Sequence, residues 1–253
     1  ENLSISGGYF VRVNLTDPNV EIKVGLANND TGGYQTLAGQ ASRYQGKGYL
    51  DSFAINADYF SSGCSVGTNC GQGLTYINGE RRTNNPANGE TWKGRGNIGF
   101  NADRSVEGNV GDGQTKRYQV VAGGPWIVRG GGAPICQGQL EMVGGAQKTF
   151  FPATGEWLDN NVLDWCWITR PMTLIGYNAD RTQLFMGVST GGSTIIDLAN
   201  RLKEQGATDV LRLDSGSSTS YVRSGGASYN SAGSAIANHI AVIVKQGSQP
   251  GPG

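Results

Sequence analysis

The chain has 253 residues, with 20 Lys+Arg balanced by 20 Asp+Glu and a single His. A formal net charge of zero argues against a nucleic-acid partner or a membrane surface held by bulk electrostatics. One His excludes a multi-histidine metal site, and no apolar run reaches the roughly 18 residues of a membrane-spanning helix.

Gly supplies 41 residues, well over twice its usual share of about 7%, and charged residues only 16%. Such a composition predicts a turn-rich and strand-rich globular protein. In chain order, Val11, Val13 and Leu15 alternate with polar residues, as do Val20, Ile22, Val24 and Leu26. Asp17-Pro18-Asn19 lies between these runs, so 9–26 reads as a β-hairpin. Residues 28–48 read as loop. Phe53-Ala54-Ile55 is a short buried strand that runs into Asn56-Ala57-Asp58-Tyr59-Phe60. Residues 61–116 read as short strands between long loops. Tyr118 to Val121 is a strand ending at Gly123-Gly124-Pro125, and 129–166 is again loop-rich. Leu174–Gly176 and Leu184–Val188 are strands around an Asn178-Ala179-Asp180 turn. Thr194 with Asp197 three residues on predicts a capped helix with Ile195, Leu198, Ala199 and Leu202 on one face and Gly206 as its stop. Val210–Leu213 follows as a strand, and Ile236–Lys245 is the last. The pattern is α+β: a strand-rich mixed sheet with a strand–helix–strand crossover in the C-terminal third, expected to be right-handed and parallel. Residues 1–246 read as a single domain. The Gly/Pro-rich 247–253 reads as a linker with a further domain expected beyond it.

The four cysteines are Cys64, Cys70, Cys136 and Cys166. The C-x5-C spacing of the first two is poor zinc chemistry. An even count suits disulfides in an oxidising compartment. A Cys64–Cys70 bridge is the expectation, which leaves Cys136 with Cys166; four free thiols is the alternative. The expected location is secreted or cell-surface.

Loops at the carboxyl ends of parallel strands are favoured ligand sites. Asp214-Ser215-Gly216-Ser217-Ser218-Thr219 leaves one strand and sets a carboxylate beside exposed backbone N–H groups, a combination suited to a sugar hydroxyl, a phosphate or a cation. The bland reading is an Asx turn. Gly187-Val188-Ser189-Thr190-Gly191 matches the G-x-S-x-G nucleophile-elbow pattern, and Ser189, Asp214 and His239 follow the order of a serine-hydrolase triad. His239 lies inside a predicted strand, however, where a triad His rarely sits. Asn56 and Asp58 fall two apart after a buried strand and so face the same way if it continues. Trp157, Trp165 and Trp167 offer rings for sugar stacking, although core packing is the commoner fate of such residues.

Taken together, 54–60, Gly123 to Val128, Arg170-Pro171-Met172-Thr173-Leu174-Ile175-Gly176, the helix at 194–205, and 206–219 resemble the phosphodiester glycosidase family, also called the uncovering-enzyme or exopolysaccharide-biosynthesis domain. Its mammalian member removes N-acetylglucosamine from a sugar-1-phosphodiester on lysosomal enzymes, and its bacterial members are mostly secreted or surface proteins. The resemblance covers roughly 50–245. The family's N-[GA]-[GD]-[FY]-F falls on Asn56 to Phe60, the Thr of its P-R-T-A-x-G on Thr173, and its L-D-G-G-G-S-S on Leu213 to Thr219. The departures are Met172 where arginine is usual, with Arg170 two residues earlier, and Ser215 and Ser217 in place of glycines. Val188-Ser189-Thr190 stands for V-D-G, and Ser234 stands for the arginine of a late Arg-x-x-x-Asn that keeps Asn238.

The resemblance implies hydrolysis of a sugar-1-phosphodiester in a glycoconjugate or exopolysaccharide. Asp214 and Asp58 would be the catalytic carboxylates, and Arg170 would clamp the phosphate. Asn56, Thr173, Gly216, Ser217, Ser218 and Asn238 would bind substrate. A calcium ion near Asp214 is plausible chemistry for carboxylate and carbonyl oxygens, although no dedicated calcium loop is present. The other readings are a non-catalytic glycan-binding or adhesion module on the same fold, and the Ser189 hydrolase.

Overall fold

Apolar residues that alternate with a period of two put one face of each strand into a core, and strands buried on both faces are apolar throughout. The computed structural model describes residues 2–5, 7–45, 49–61, 63–82, 94–143, 146–158, 166–225 and 228–245. Its strands in chain order are β1 (Asn2–Ile5), β2 (Gly8–Asn14), β3 (Val20–Leu26), β4 (Tyr49–Asn56), β5 (Tyr76–Ile77), β6 (Glu80–Arg81), β7 (Gly96–Phe100), β8 (Val106–Val110), β9 (Gln119–Ala122) and β10 (Trp126–Val128). Then come β11 (Gln139–Val143), β12 (Ala146–Phe151), β13 (Glu156–Leu158), β14 (Met172–Tyr177), β15 (Gln183–Ser189), β16 (Asp209–Arg212), β17 (Ser220–Arg223), β18 (Ser228–Asn230) and β19 (Asn238–Lys245). Among the described residues the longest helix is Ile195–Glu204, and a shorter one is Leu37–Ala41.

A six-stranded sheet has the order β1-β2-β15-β14-β16-β10, and a five-stranded sheet the order β18-β17-β4-β19-β3. The described residues also form a second five-stranded sheet, β6-β5-β9-β7-β8, and a three-stranded one, β11-β12-β13. The strand alternation sorts side chains into layers. Val11 and Val13 of β2, Ile175 of β14 and Met186 of β15 join Phe53, Ile55, Ile240 and Val242 in a central core between sheets. The opposite faces carry Phe10, Leu174 and Phe185, which pack under the helix side chains Ile195, Leu198, Ala199 and Leu202. Behind β4 and β19, Ala54, Ala241 and Ile243 pack on Leu37 and Ala41. Each fully buried aliphatic side chain contributes about 1.5–3 kcal/mol. The helix starts where the sequence places it: the Thr194 hydroxyl accepts from Asp197 N at 3.2 Å, and Asp197 accepts from Thr194 N at 3.0 Å. This reciprocal box is worth about 1 kcal/mol.

Three sequence expectations are corrected. First, β2 and β3 do not form a hairpin. The Asp17 turn (Val20 N to Asp17 O, 3.1 Å) sends them into different sheets, β2 beside β15 and β3 beside β19. They meet face to face across the shared core, an arrangement that needs the same alternation as an edge-to-edge pair. Second, the sheets are not mixed: each strand pairing among the described residues is antiparallel. The helix connects β15 to β16, which run parallel to each other but are not paired, because β14 lies between them and is antiparallel to both. The tight turn at Asn178, whose side chain accepts from Thr182 N and Gln183 N at 2.9 Å, folds β15 back on β14 and fills the place beside β16. Third, Cys64 and Cys70 are free thiols, whereas Cys136–Cys166 is a disulfide. The 64–70 loop is held by other bonds, Gly33 N to Thr68 O at 2.9 Å and Cys64 N to Tyr34 Oη at 3.1 Å. Cys70 Sγ donates to Thr68 O at 3.3 Å, and burial, followed by the neighbouring Cys64, pushes its thiol up to about 11. The 247–253 linker and Trp165 lie outside the described residues.

Glu156 of β13 is fully buried and accepts from Trp126 N at 2.7 Å. Burial pushes its carboxyl up from 4.5 to about 7, against the lowering pull of its hydrogen bonds and Arg129. A carboxyl whose folded pKa exceeds its unfolded one takes up a proton on folding, so stability falls as pH rises from about 4.5 through about 7, by roughly 3 kcal/mol for this group. Glu156→Gln should flatten that limb in urea midpoints measured between pH 4 and 8; an unchanged slope would contradict the assignment.

Candidate active site

The antiparallel pairings bring the ends of β4 and β16 to the starts of β14, β17 and β19. At that edge the Asn56 side chain makes three hydrogen bonds. Its Nδ2 donates to Asp214 O at 2.7 Å, and its Oδ1 accepts from Thr173 Oγ1 at 2.7 Å and from Ser220 N at 3.0 Å. Asp214 N returns to Ala57 O at 2.8 Å, and Leu213 N donates to Thr173 O at 2.9 Å. Asn56 and Thr173 are both buried. The sequence marks these two as substrate-binding residues; here their polar atoms are committed to one another and to the backbone, and they position the Asp214 loop.

Asp214 is partly exposed at the mouth of the site. Its Oδ1 accepts from Ser215 N at 2.8 Å. Burial raises its pKa, while hydrogen bonds from Ser218 and Ser215 and the charges of Arg212 and Arg95 pull it down. Gly216 N donates to Pro171 O at 2.9 Å, and Gly216 adopts φ +73°, which a glycine takes without strain. Ser217 is exposed and Ser218 buried.

Asp58 sits behind, with no side-chain exposure. Its backbone N donates to Asn238 Oδ1 at 2.7 Å, and its Oδ2 accepts from Gly73 N at 2.5 Å. A side chain at position 73 would press on Asp58 and Ala122, so only glycine lets this N–H come so close. Arg95 Nη1 lies 4.0 Å from Asp58 Oδ1. Burial pushes Asp58 up from 3.8 to about 6; Arg95 and the Gly73 N–H oppose this, and the Asp214 charge adds to it. Asp58 and Asp214 are therefore electrostatic neighbours despite the 156 residues between them.

Three guanidiniums surround the pair. The Tyr59 ring lies under Arg95 at 4.8 Å and Arg212 at 5.4 Å, and its hydroxyl donates to Gly124 O at 2.9 Å. Arg170 is half-buried. Its pKa is lowered by burial and then by Arg212, while Tyr59 and Asp214 raise it. Arg170 Nε is enclosed without a hydrogen-bond partner, as is Asn238 Nδ2. Three cations against two carboxylates leave the cluster with net positive charge, suited to a phosphodiester monoanion. Sequence reasoning picks out Arg170 and misses Arg95, Arg212, Tyr59 and Gly73. Arg212 was within reach, since it stands two residues before Asp214.

The serine-hydrolase reading fails. His239 is fully buried, with Nδ1 2.7 Å from Gln40 Oε1 and Nε2 2.8 Å from Tyr44 Oη. Burial pushes it down to about 3, and both ring nitrogens are occupied away from Ser189, whose hydroxyl contacts Gly7 O at 3.4 Å. For calcium, no group of three or more His, Cys, Asp or Glu among the described residues is placed to hold a metal ion. No helix among the described residues is long and apolar enough to cross a membrane.

The family model described as phosphodiester glycosidase matches residues 51–243, a span that contains each of these site residues. The chain belongs to the phosphodiester glycosidase family. Its fold is similar to that of the zebrafish N-acetylglucosamine-1-phosphodiester alpha-N-acetylglucosaminidase catalytic domain, a structure auto-inhibited by its pro-peptide. The TM-score is 0.64 at 16% identity, over 97% of this chain and 88% of that one. A hypothetical protein from Synechocystis is similar at TM-score 0.65 and 14% identity, over 97% of this chain; this chain spans 61% of that one. Among curated protein sequences none matches.

Truncating Asn56 would strand the Thr173 hydroxyl, Ser220 N–H and Asp214 carbonyl in a buried setting. Asn56→Ala should cost about 3 kcal/mol or more, at roughly 1 kcal/mol or more per orphaned group. Urea denaturation measures it, and a loss below about 1 kcal/mol would contradict the positioning role.

Proposed function

We propose that the protein hydrolyses a sugar-1-phosphodiester in a glycoconjugate or exopolysaccharide at the bond between the anomeric carbon and the phosphate oxygen. The observation that carries the reading is a partly exposed carboxylate, Asp214, within electrostatic reach of an arginine, Arg170, whose Nε is enclosed without a hydrogen-bond partner in a net-positive cluster. A phosphodiester binds through its charged oxygens to guanidinium donors, which suits planar bidentate contact. With the phosphate so held, Asp214 faces the sugar. The C1–O bond breaks, its electrons remain on the phosphate oxygen, and a phosphomonoester leaves. Water supplies the new C1–O bond, and Asp214 stabilises the cationic anomeric centre and receives the water proton. The leaving group is already a weak base, so no strong acid is needed. The enclosed Asp58 holds Arg95 and the Gly73 turn in place rather than touching the sugar. The exposed Ser217 hydroxyl lines the mouth and suits a sugar hydroxyl, whereas the Ser215 and Gly216 N–H groups are already engaged by Asp214 and Pro171.

The departure at Met172 does not weaken this reading. Met172 is fully buried beneath the helix, among the residues on the far face of β14. Position 170 supplies the cation instead. The Cys136–Cys166 disulfide supports a non-cytoplasmic, secreted or cell-surface location.

Release of free sugar from a panel of sugar-1-phosphodiesters, nucleotide sugars included, tests the activity. Asp214→Asn should lower kcat/KM by about 10²–10⁴-fold, and Arg170→Ala by about 10²-fold or more. Absence of turnover across the panel by the folded wild type would remove the hydrolase reading in favour of a glycan-binding module.

A further inference from the structure

A groove of about 510 Å³ lies between the disulfide, the three-stranded sheet and the helix start, lined by Pro134, Ile135, Gln137, Gln139, Pro152 and Trp167, among others. Its volume falls in the range of small-ligand sites. Trp167 is 70% exposed, unusual for the largest apolar side chain. The residue before it, Cys166, is buried and tied to Cys136, which itself lines the groove. Another lining residue, Ile135, is held by its N, which donates to Ile127 O at 2.6 Å. The indole is thus presented on a braced segment. None of the described lining residues is charged, and their polar side-chain groups are the two glutamine amides and the Trp167 indole N–H. An exposed ring face with neutral amide donors and acceptors fits a neutral sugar ring, whose C–H face stacks while its hydroxyls hydrogen-bond. Among the described lining residues no charged side chain is present to pair with an anion or a charged peptide.

Trp167 also stands three residues before Arg170, so their Cα atoms are at most about 11 Å apart. The same short segment therefore carries the groove's indole and the Arg170 guanidinium of the Asp214 cluster. We propose that it is a distal subsite that binds a neutral sugar unit of the substrate beyond the phosphodiester, with Trp167 as its stacking platform. Its kinetic consequence rests on the hydrolase reading above; its binding of neutral glycan does not.

Two arms test it. In the kinetic arm, wild type, Trp167→Ala and Trp167→Phe are compared on N-acetylglucosamine-1-phosphodiesters with a methyl aglycone and with a neutral tetrasaccharide aglycone. Trp167→Ala should raise KM about tenfold on the tetrasaccharide compound alone with kcat unchanged, and Trp167→Phe should recover part of the loss. Equal effects on both substrates, or none on either, would overturn the subsite. In the binding arm, chitotetraose, maltotetraose and cellotetraose are titrated by calorimetry into the Asp214→Asn protein with and without Trp167→Ala. Binding of at least one, weakened about tenfold or more by Trp167→Ala, is expected. If wild type turns over neither phosphodiester, the hydrolase reading fails and this arm alone decides the groove. Binding of none of the three overturns the proposal, as does a Trp167-dependent dimer in sedimentation in place of sugar binding.

Discussion

The side-chain amide of Asn56 is the contact on which the site depends. A buried amide must satisfy its hydrogen-bonding groups, or its desolvation is left uncompensated. Here it does so by joining the end of β4 to the start of β14, the loop after β16 and the start of β17. Those elements come from distant parts of the chain and from two different sheets. The amide fixes where the backbone of Asp214 stands, and through it the aim of the carboxylate. Its own burial excludes it from substrate contact, so its contribution is geometric.

Around that anchor, charges are assembled in a setting that strengthens their mutual influence. Low exposure raises both carboxylates, and Arg95 and Arg212 oppose the rise. The tool is general: burial disfavours a lone charge, and a cluster of opposite charges makes its presence tolerable. The cluster keeps an excess of cation, and at Arg170 an enclosed donor without a partner. A phosphate would satisfy both at once. The antiparallel sheets supply rigidity, because each site residue sits at or within a few residues of a strand buried on both faces.

Much of the scaffold was legible in the sequence, and the failures have physical causes. The Ile195–Glu204 helix could be read from its stripe and capping box because both are local. The alternation in β2 and β3 was equally legible, but alternation reports which face is buried and not which edge is paired, so an arch across the core passed for a hairpin. The strand–helix–strand order suggested parallel neighbours, yet β14 occupies the middle position, which local signals do not encode. In the site, the motifs at Asn56, Asp58, Thr173 and Asp214 do converge. Their roles were less legible, since Asn56, Thr173 and Asp58 are enclosed and only the fold reveals that. Arg95 came from a stretch with no motif, and Gly73 matters only because Asp58 lies against it. The C-x5-C spacing predicted a bridge between two cysteines that are neighbours but remain thiols.

The central claim, that this convergence recognises a phosphodiester attached to an anomeric carbon, is tested most directly by calorimetric binding of a non-hydrolysable methyl sugar-1-phosphonate, with the free sugar and methylphosphonate as controls. The account predicts that the intact phosphonate binds far more tightly than either fragment, weakens as salt is raised, and loses most of its affinity in Arg170→Ala. Equal affinity for the phosphonate and the free sugar, indifferent to salt and to Arg170, would contradict it.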